Sequence, residues 1–413
     1  MARTPGETVI DRVGANGVTV VCRYAPGATE YCGFTVRAGS RDEHDPARFG
    51  LAHFVEHTIF KGTPRRSDTY ILNRMEAIGG ELNAFTTKEE TTVYAAMPAG
   101  NHRRACALIG ELVAESSFPE KKLDLEREVI CDEIDSYLDT PSESVYDFFD
   151  EEAYAGNSMA HNILGTRESV LGMQSETCRD YLRRAFAADN GVYFYLGPEE
   201  PAKVMRTVAS CFAALPAAAS LAPRRTPAPS EPFSRVIDRG GHQSHTVMGV
   251  RAGSGLHDPA RYAMSLAVNI LGGPGMNALL NVELRERRGL VYTVDASLVL
   301  LSDLGAAMIY FGCDPDDRER CSALVGQTLG RFADRTVSPT ALRNYKRQYL
   351  GQVTLAADNR EQMAISTGRC VLYGLPVPSY AHTAAALDAV TPEALRSAAE
   401  ILAQTPSRNL TLC

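Results

Sequence analysis

His53 and His57 stand four residues apart in the stretch LAHFVEHTIF (Leu51–Phe60), with Glu56 just before the second histidine. On a helix, positions i and i+4 lie one above the other on one face. Two imidazoles placed in this way reach a single tetrahedral cation at about 2.0–2.1 Å. Glu56 falls near the same face, where it can touch a metal-bound water without being a ligand. The order H-x-x-E-H inverts the commoner H-E-x-x-H zinc motif. An amphipathic helix packed on a sheet would also hold two such histidines with no metal. Against that, FGLAHFVEHTIF is otherwise almost wholly apolar. Three polar groups on such a helix must be satisfied if buried, and a shared ion does so.

A catalytic zinc site with two histidines usually takes a carboxylate as third ligand and leaves the fourth place to water. The 3.6-residue period of PEKKLDLEREVICDEIDSYLD predicts an amphipathic helix over Pro119–Asp139, with Pro119 near its first turn and Thr140-Pro141 as its stop. Glu126 and Glu133 are seven apart on it and share a stripe with Leu123, Ile130 and Tyr137. Carboxylates on an apolar stripe are unusual. Asp124, Glu128, Asp132 and Asp135 fall mostly on other faces and read as solvated charges. The helix holding the histidines is expected to open at Asp45-Pro46 and to close at KGTP (Lys61–Pro64).

The elements that must position these residues repeat. VRAGS occurs at Val36–Ser40 and again at Val250–Ser254, and HDPAR follows at His44–Arg48 and at His257–Arg261. A fixed-offset match of this kind marks a duplicated unit. Between the copies lies a Pro- and Ala-rich stretch suited to an extended linker. Over 413 residues the expected division is a metal-bearing domain at 1–215, a linker at 216–232 and a second homologous domain at 233–413. ELNAFTTKEETTVYAAM (Glu81–Met97) predicts two strands joined by a polar turn. Strand pairs stand beside helices without a βαβ rhythm, so the class is α+β, with helices laid on largely antiparallel sheets. In the second copy Leu266, Asn269 and Ile270 replace His53, Glu56 and His57, and it cannot build the same site.

Composition excludes several functions. With 45% hydrophobic and 22% charged residues the chain reads as globular. A net charge of −8 and no basic tract leave no footprint for nucleic acid. No apolar run approaches the roughly 20 residues of a membrane span, and the N-terminus lacks a signal-peptide layout. Ten cysteines with no C-x-x-C pair suggest buried, reduced thiols, so a cytoplasmic location is expected.

H-x-x-E-H, followed some seventy-five residues on by a glutamate in LEREVICDEI, resembles the pitrilysin–insulinase family of inverted-motif zinc peptidases, in its short bacterial, mitochondrial-processing-peptidase-like form. The resemblance covers nearly the whole chain. It implies one Zn²⁺ per chain on His53, His57 and Glu133, with Glu56 as general base and Glu126 as a supporting acid in the catalytic set. It implies that Asn83 and Ala84 lie on the strand that receives substrate. Arg285 and Tyr292, in LRERRGLVYTV, match the family's substrate-binding arginine and tyrosine, although charge count alone would read them as a solvated helix running into a strand. The chain departs from the family's glycine-run pattern at LGGPGMNALL, where Pro274 interrupts the glycines and Met276-Asn277 replace small residues. The implied activity is a zinc metalloendopeptidase acting on peptides or unfolded segments enclosed between paired halves. Manganese or cobalt would also suit the ligand set in vitro. Family members close their chamber from four such domains, which for this two-domain chain implies a homodimer. Two alternatives stand beside it. One is a non-catalytic partner or scaffold subunit of the same family, and the other is a metal-dependent hydrolase of small molecules.

Overall fold

The run GVYFYLG is buried along its whole length, and a strand covered on both faces belongs in the middle of a sheet. The computed structural model, which describes residues 6–413, places it there. The first sheet consists of β1 (Thr8–Val13), β2 (Val18–Tyr24), β3 (Thr29–Val36), β4 (Glu81–Thr86), β5 (Thr91–Pro98) and β6 (Gly191–Gly197), in the order β1-β2-β6-β3-β5-β4. Only the β2–β6 pair is parallel. Val192, Phe194 and Leu196 pack with Ala364 of the helix Arg360–Leu372. On the other face the Tyr193 ring meets Phe212, and its hydroxyl bonds His102 at 3.0 Å.

The second sheet repeats this arrangement. Its strands are β7 (Phe233–Ile237), β8 (Ser244–Arg251), β9 (Val291–Leu300), β10 (Gly305–Cys313) and β11 (Arg408–Leu412), in the order β7-β11-β8-β10-β9, again with one parallel pair, β7–β11. That order matches β2-β6-β3-β5-β4 strand for strand. The α+β class, with mixed, mostly antiparallel sheets and packed helices, is as expected, and each VRAGS follows the corresponding strand into the loop before a helix.

The compact units are not contiguous in sequence. One runs to Asp135 and takes up His161–Arg224 and Ala357–Pro378; the other takes Ser136–Ala160, Arg225–Ala356 and Ser379–Cys413. The helix Pro141–Ala153 thus joins the second sheet, where Val145 and Phe149 pack with Val247, Tyr310, Leu410 and Leu412. The helix Arg360–Leu372 joins the first. A glycine admits a phenylalanine at each docking. A Cβ on Gly249 would stand 2.4 Å from Phe149 Cζ, and one on Gly368 2.6 Å from Phe194 Cδ1. Arg369 fixes its helix further by pairing with Glu90 at 2.6 Å in the turn between β4 and β5.

The helix with the two histidines spans Leu51–Thr58 and does not begin at Asp45-Pro46. Asp45 instead caps a single 3₁₀ turn, Pro46–Arg48, accepting Ala47 N–H at 3.1 Å. Gly50, at φ +86°, then turns the chain before the helix proper starts. The acidic helix spans Glu120–Leu138, and Pro141 opens the next helix at its first position, where a missing N–H costs nothing. Among the described residues no helix is long and apolar enough to cross a membrane.

Candidate metal centre

His53 and His57 occupy successive turns of Leu51–Thr58, with ring centroids 4.6 Å apart. Glu133, from the acidic helix, closes on both: its Oε2 lies 3.8 Å from His53 Nε2 and 3.4 Å from His57 Nε2. These are the three groups that converge closely enough to hold one ion among the described residues. Ligands arranged tetrahedrally at about 2.1 Å from zinc would stand about 3.4 Å from one another. The separations match that, and they are too long for ordinary hydrogen bonds. Glu133 Oε2 is buried with no hydrogen-bond partner. A buried carboxylate oxygen left unsatisfied is costly, and a cation between it and the imidazoles removes the cost. The residues therefore fit a zinc ion.

Electrostatics agree. Burial, with His57 adding to it, lowers the His53 pKa to about 3, so the ring is neutral and offers a lone pair. Glu56 lies beside this trio. Burial pushes its pKa up to about 7 and the Glu133 charge adds to the rise, while polar groups of Thr86, at the end of β4, partly offset it.

Glu126 takes the other side of His57. Its Oε2 is 3.4 Å from His57 Nδ1, and its Oε1 is 2.5 Å from Lys61 Nζ. A carboxylate on the second nitrogen of a ligating histidine fixes ring orientation and tautomer. The sequence reading does not single out Lys61, which stands four residues after His57 and three beyond the end of the helix at Thr58, where helical spacing gives no signal.

β4 is the edge strand of its sheet. Asn83 pairs with Tyr94 and Ala84 with Val93 on β5, and no strand lies on the other side among the described residues. The Asn83 side chain accepts the Ala84 amide at 2.9 Å.

Arg285 and Tyr292 belong to the second unit. Arg285 is exposed on a single π-helical turn, Asn281–Glu286. Tyr292 is exposed on β9 and donates its hydroxyl to Asp314 at 2.7 Å, a bond that raises its pKa. The positions that replace the metal residues in this unit serve packing. Leu266 and Ile270 are buried in its core, and the Asn269 amide donates to Gln352 at 2.7 Å.

Comparison with known proteins finds two family profiles in succession along the chain. The family profile described as Insulinase (Peptidase family M16) matches residues 19–167, and that described as Peptidase M16 inactive domain matches residues 173–349. A protein of Streptomyces coelicolor, named an uncharacterized zinc protease, is 31% identical over 383 residues, which cover 91% of this chain and 83% of that one. The mitochondrial-processing peptidase subunit beta of Lentinula edodes is 26% identical over 405 residues, covering 94% and 85%. Among solved structures, one titled peptidase M16 inactive domain from Pseudomonas fluorescens superposes with a TM-score of 0.89 at 20% identity, covering 98% of this chain and 97% of that one, which establishes likeness of fold.

Proposed function

Since the chain belongs to the insulinase family, peptidase family M16, we propose that it is itself a zinc-dependent endopeptidase of peptides and unfolded segments. The observation that carries this reading is the convergence of His53, His57 and Glu133 around an unsatisfied, buried carboxylate oxygen. When bound there, one zinc per chain supplies Lewis acidity that activates water and polarises a carbonyl. Glu56 takes the proton of the attacking water and returns it to the leaving amine. Glu126, held by Lys61, keeps the His57 ring in its ligating orientation. The open edge of β4 takes an extended peptide by main-chain hydrogen bonds, with Asn83 and Ala84 along it, which reads shape more than sequence.

Arg285 and Tyr292 are assigned to substrate. The planar guanidinium grips a carbonyl or carboxylate, and the phenol donates to the oxyanion once released from Asp314. In a chain of two such domains, the site is completed in a homodimer, with Arg285 and Tyr292 acting on the partner's metal centre. We place this activity in the cytoplasm. The test is Glu56→Gln. Zinc should stay near one equivalent, while kcat on an unstructured peptide falls by about 10³ or more, within the span of acid–base groups. Wild-type turnover in that variant would remove Glu56 from the mechanism.

A further inference from the structure

The helix that carries His53 and His57 lacks the start signals a helix normally has. Its N-cap is Gly50, which has no side chain to cap with, and its first turn holds no acidic residue. The first amides of a helix have no partner within it and must find one outside. Here Glu43, seven residues upstream, supplies it. Glu43 Oε2 accepts the Gly50 N–H at 2.8 Å and Oε1 accepts the Ala52 N–H at 2.7 Å. The same Oε2 lies 2.9 Å from His161 Nε2. His161 Nδ1 is buried without a partner, so the ring's polar anchoring runs through Nε2 to Glu43. Both residues are buried, Glu43 at 5% and His161 at 8% exposure.

His161 is itself held firmly. Phe49 stacks on its ring at 3.8 Å and 3°, and its carbonyl accepts Lys88 Nζ at 2.5 Å. The loop that delivers it presses on the helix start. A Cβ on Gly50 would stand 2.4 Å from the Leu164 carbonyl oxygen, and one on Gly165 would stand 2.1 Å from that of Phe49. Ser169 Oγ donates to the same Phe49 carbonyl at 2.7 Å.

A helix of eight residues has little stability of its own, so its axis and rotation are set by what anchors it. His53 is in its first turn, one residue beyond the amide of Ala52. We infer that Glu43 and His161 are positioning residues of the metal centre: the pair clamps the first turn so that His53 and His57 meet Glu133 at ligating separation. This rests on the reading of the trio as a zinc site. Sequence offers little sign of it, since 118 residues separate the two partners.

Zinc affinity, by competition with a chromophoric chelator, and the visible spectrum of the Co²⁺-loaded protein test it in Glu43→Ala, Glu43→Gln and His161→Phe. Glu43→Ala should weaken zinc by about 10–100-fold and alter the Co²⁺ bands, the size typical when a group supporting a ligand is lost. Glu43→Gln keeps one acceptor oxygen and should recover part of that loss. His161→Phe keeps the stack on Phe49 and should fall between the wild type and Glu43→Ala. A role confined to stability would lower the unfolding temperature and leave both readouts alone. Zinc affinity within about twofold of wild type, with unchanged Co²⁺ bands, in folded Glu43→Ala would overturn the inference. If that variant does not fold, the same result in Glu43→Gln together with His161→Phe would do so. If the wild-type protein takes up no zinc, the metal reading fails on its own. Hydrogen exchange at the Gly50 and Ala52 amides then decides the clamp: faster exchange in His161→Phe supports it, and unchanged exchange overturns it.

Discussion

Glu126 and Glu133 lie two turns apart on one helix, and the proposed site gives them unequal work that can be measured. Glu133→Ala removes a charged ligand from a set of three. Glu126→Ala removes a group that reaches the trio only at the far nitrogen of His57. Losing such a supporting contact typically costs about 10–100-fold in metal affinity. The 3.4 Å separation from His57 Nδ1 is longer than an ordinary hydrogen bond, which puts the orientation effect alone near the low end, about tenfold or 1.4 kcal/mol. A second effect adds to it. Lys61 Nζ sits 2.5 Å from Glu126, and without that carboxylate its ammonium faces the site unpaired and repels a cation. Glu126→Ala should therefore cost more than tenfold, toward the roughly 100-fold end. Adding Lys61→Met should return the loss to about tenfold. Glu133→Ala should exceed all of these. Zinc dissociation constants at neutral pH, read by chelator competition on dialysed protein, give the comparison. Equal losses in the two single variants, or a double variant that binds more weakly than Glu126→Ala, would refute the assignment of Glu133 as ligand and Glu126 as its neighbour's support.

Three further outcomes are expected. Mixing Glu56→Gln chains with Tyr292→Phe chains, each poorly active alone, should restore activity to about half of a wild-type dimer per heterodimer if the two sites are independent; no recovery after verified subunit exchange would place the pair in cis or with a different partner. Gly249→Ala should destabilise the fold by about 1–3 kcal/mol in urea unfolding, because the new Cβ meets the buried Phe149 ring at 2.4 Å, and Phe149→Leu should relieve part of it; a neutral Gly249→Ala contradicts the packing. The His102 hydrogen bond holds Glu199 down at about pKa 2, with Lys203 assisting. A depressed carboxylate stabilises above its unfolded pKa and loses that contribution as pH falls through the folded one. The destabilisation by Glu199→Gln should thus be about 1 kcal/mol at pH 6, allowing for solvent screening, and should shrink between pH 4.5 and pH 2; a pH-independent difference would count against the pairing.

Several of these features could be read directly from residue types. The spacing of His53, Glu56 and His57 placed three polar groups on one helical face, and the stripe from Leu123 to Tyr137 put Glu126 and Glu133 on one side of a second helix. The matching VRAGS and HDPAR segments point to two similar domains, while the shared strand order appears only in the structure. Periodicity of this kind reports which face of an element is buried but not what it is buried against. The Glu43–His161 contact is therefore not legible in the sequence, nor are the paths of Ser136–Ala160 and Ala357–Pro378 into the other unit. The histidine helix starts later than Asp45-Pro46 predicts, for a local reason. Asp45-Pro46 is a sound opening signal, but it serves a 3₁₀ turn, and Gly50 breaks the chain before the helix begins.

The route of the chain also sets a timetable for synthesis. The sheet beneath the candidate metal centre has its last strand, β6, by Gly197, yet the helix that covers Val192, Phe194 and Leu196 begins only at Arg360. At roughly 5–20 residues per second, a ribosome needs about 8–30 s to make the intervening stretch. Throughout that interval the nascent first sheet carries an uncovered apolar face. A fragment ending before Arg360 would lack that cover. The sheet under the candidate metal centre is therefore covered only after Leu372 has been made.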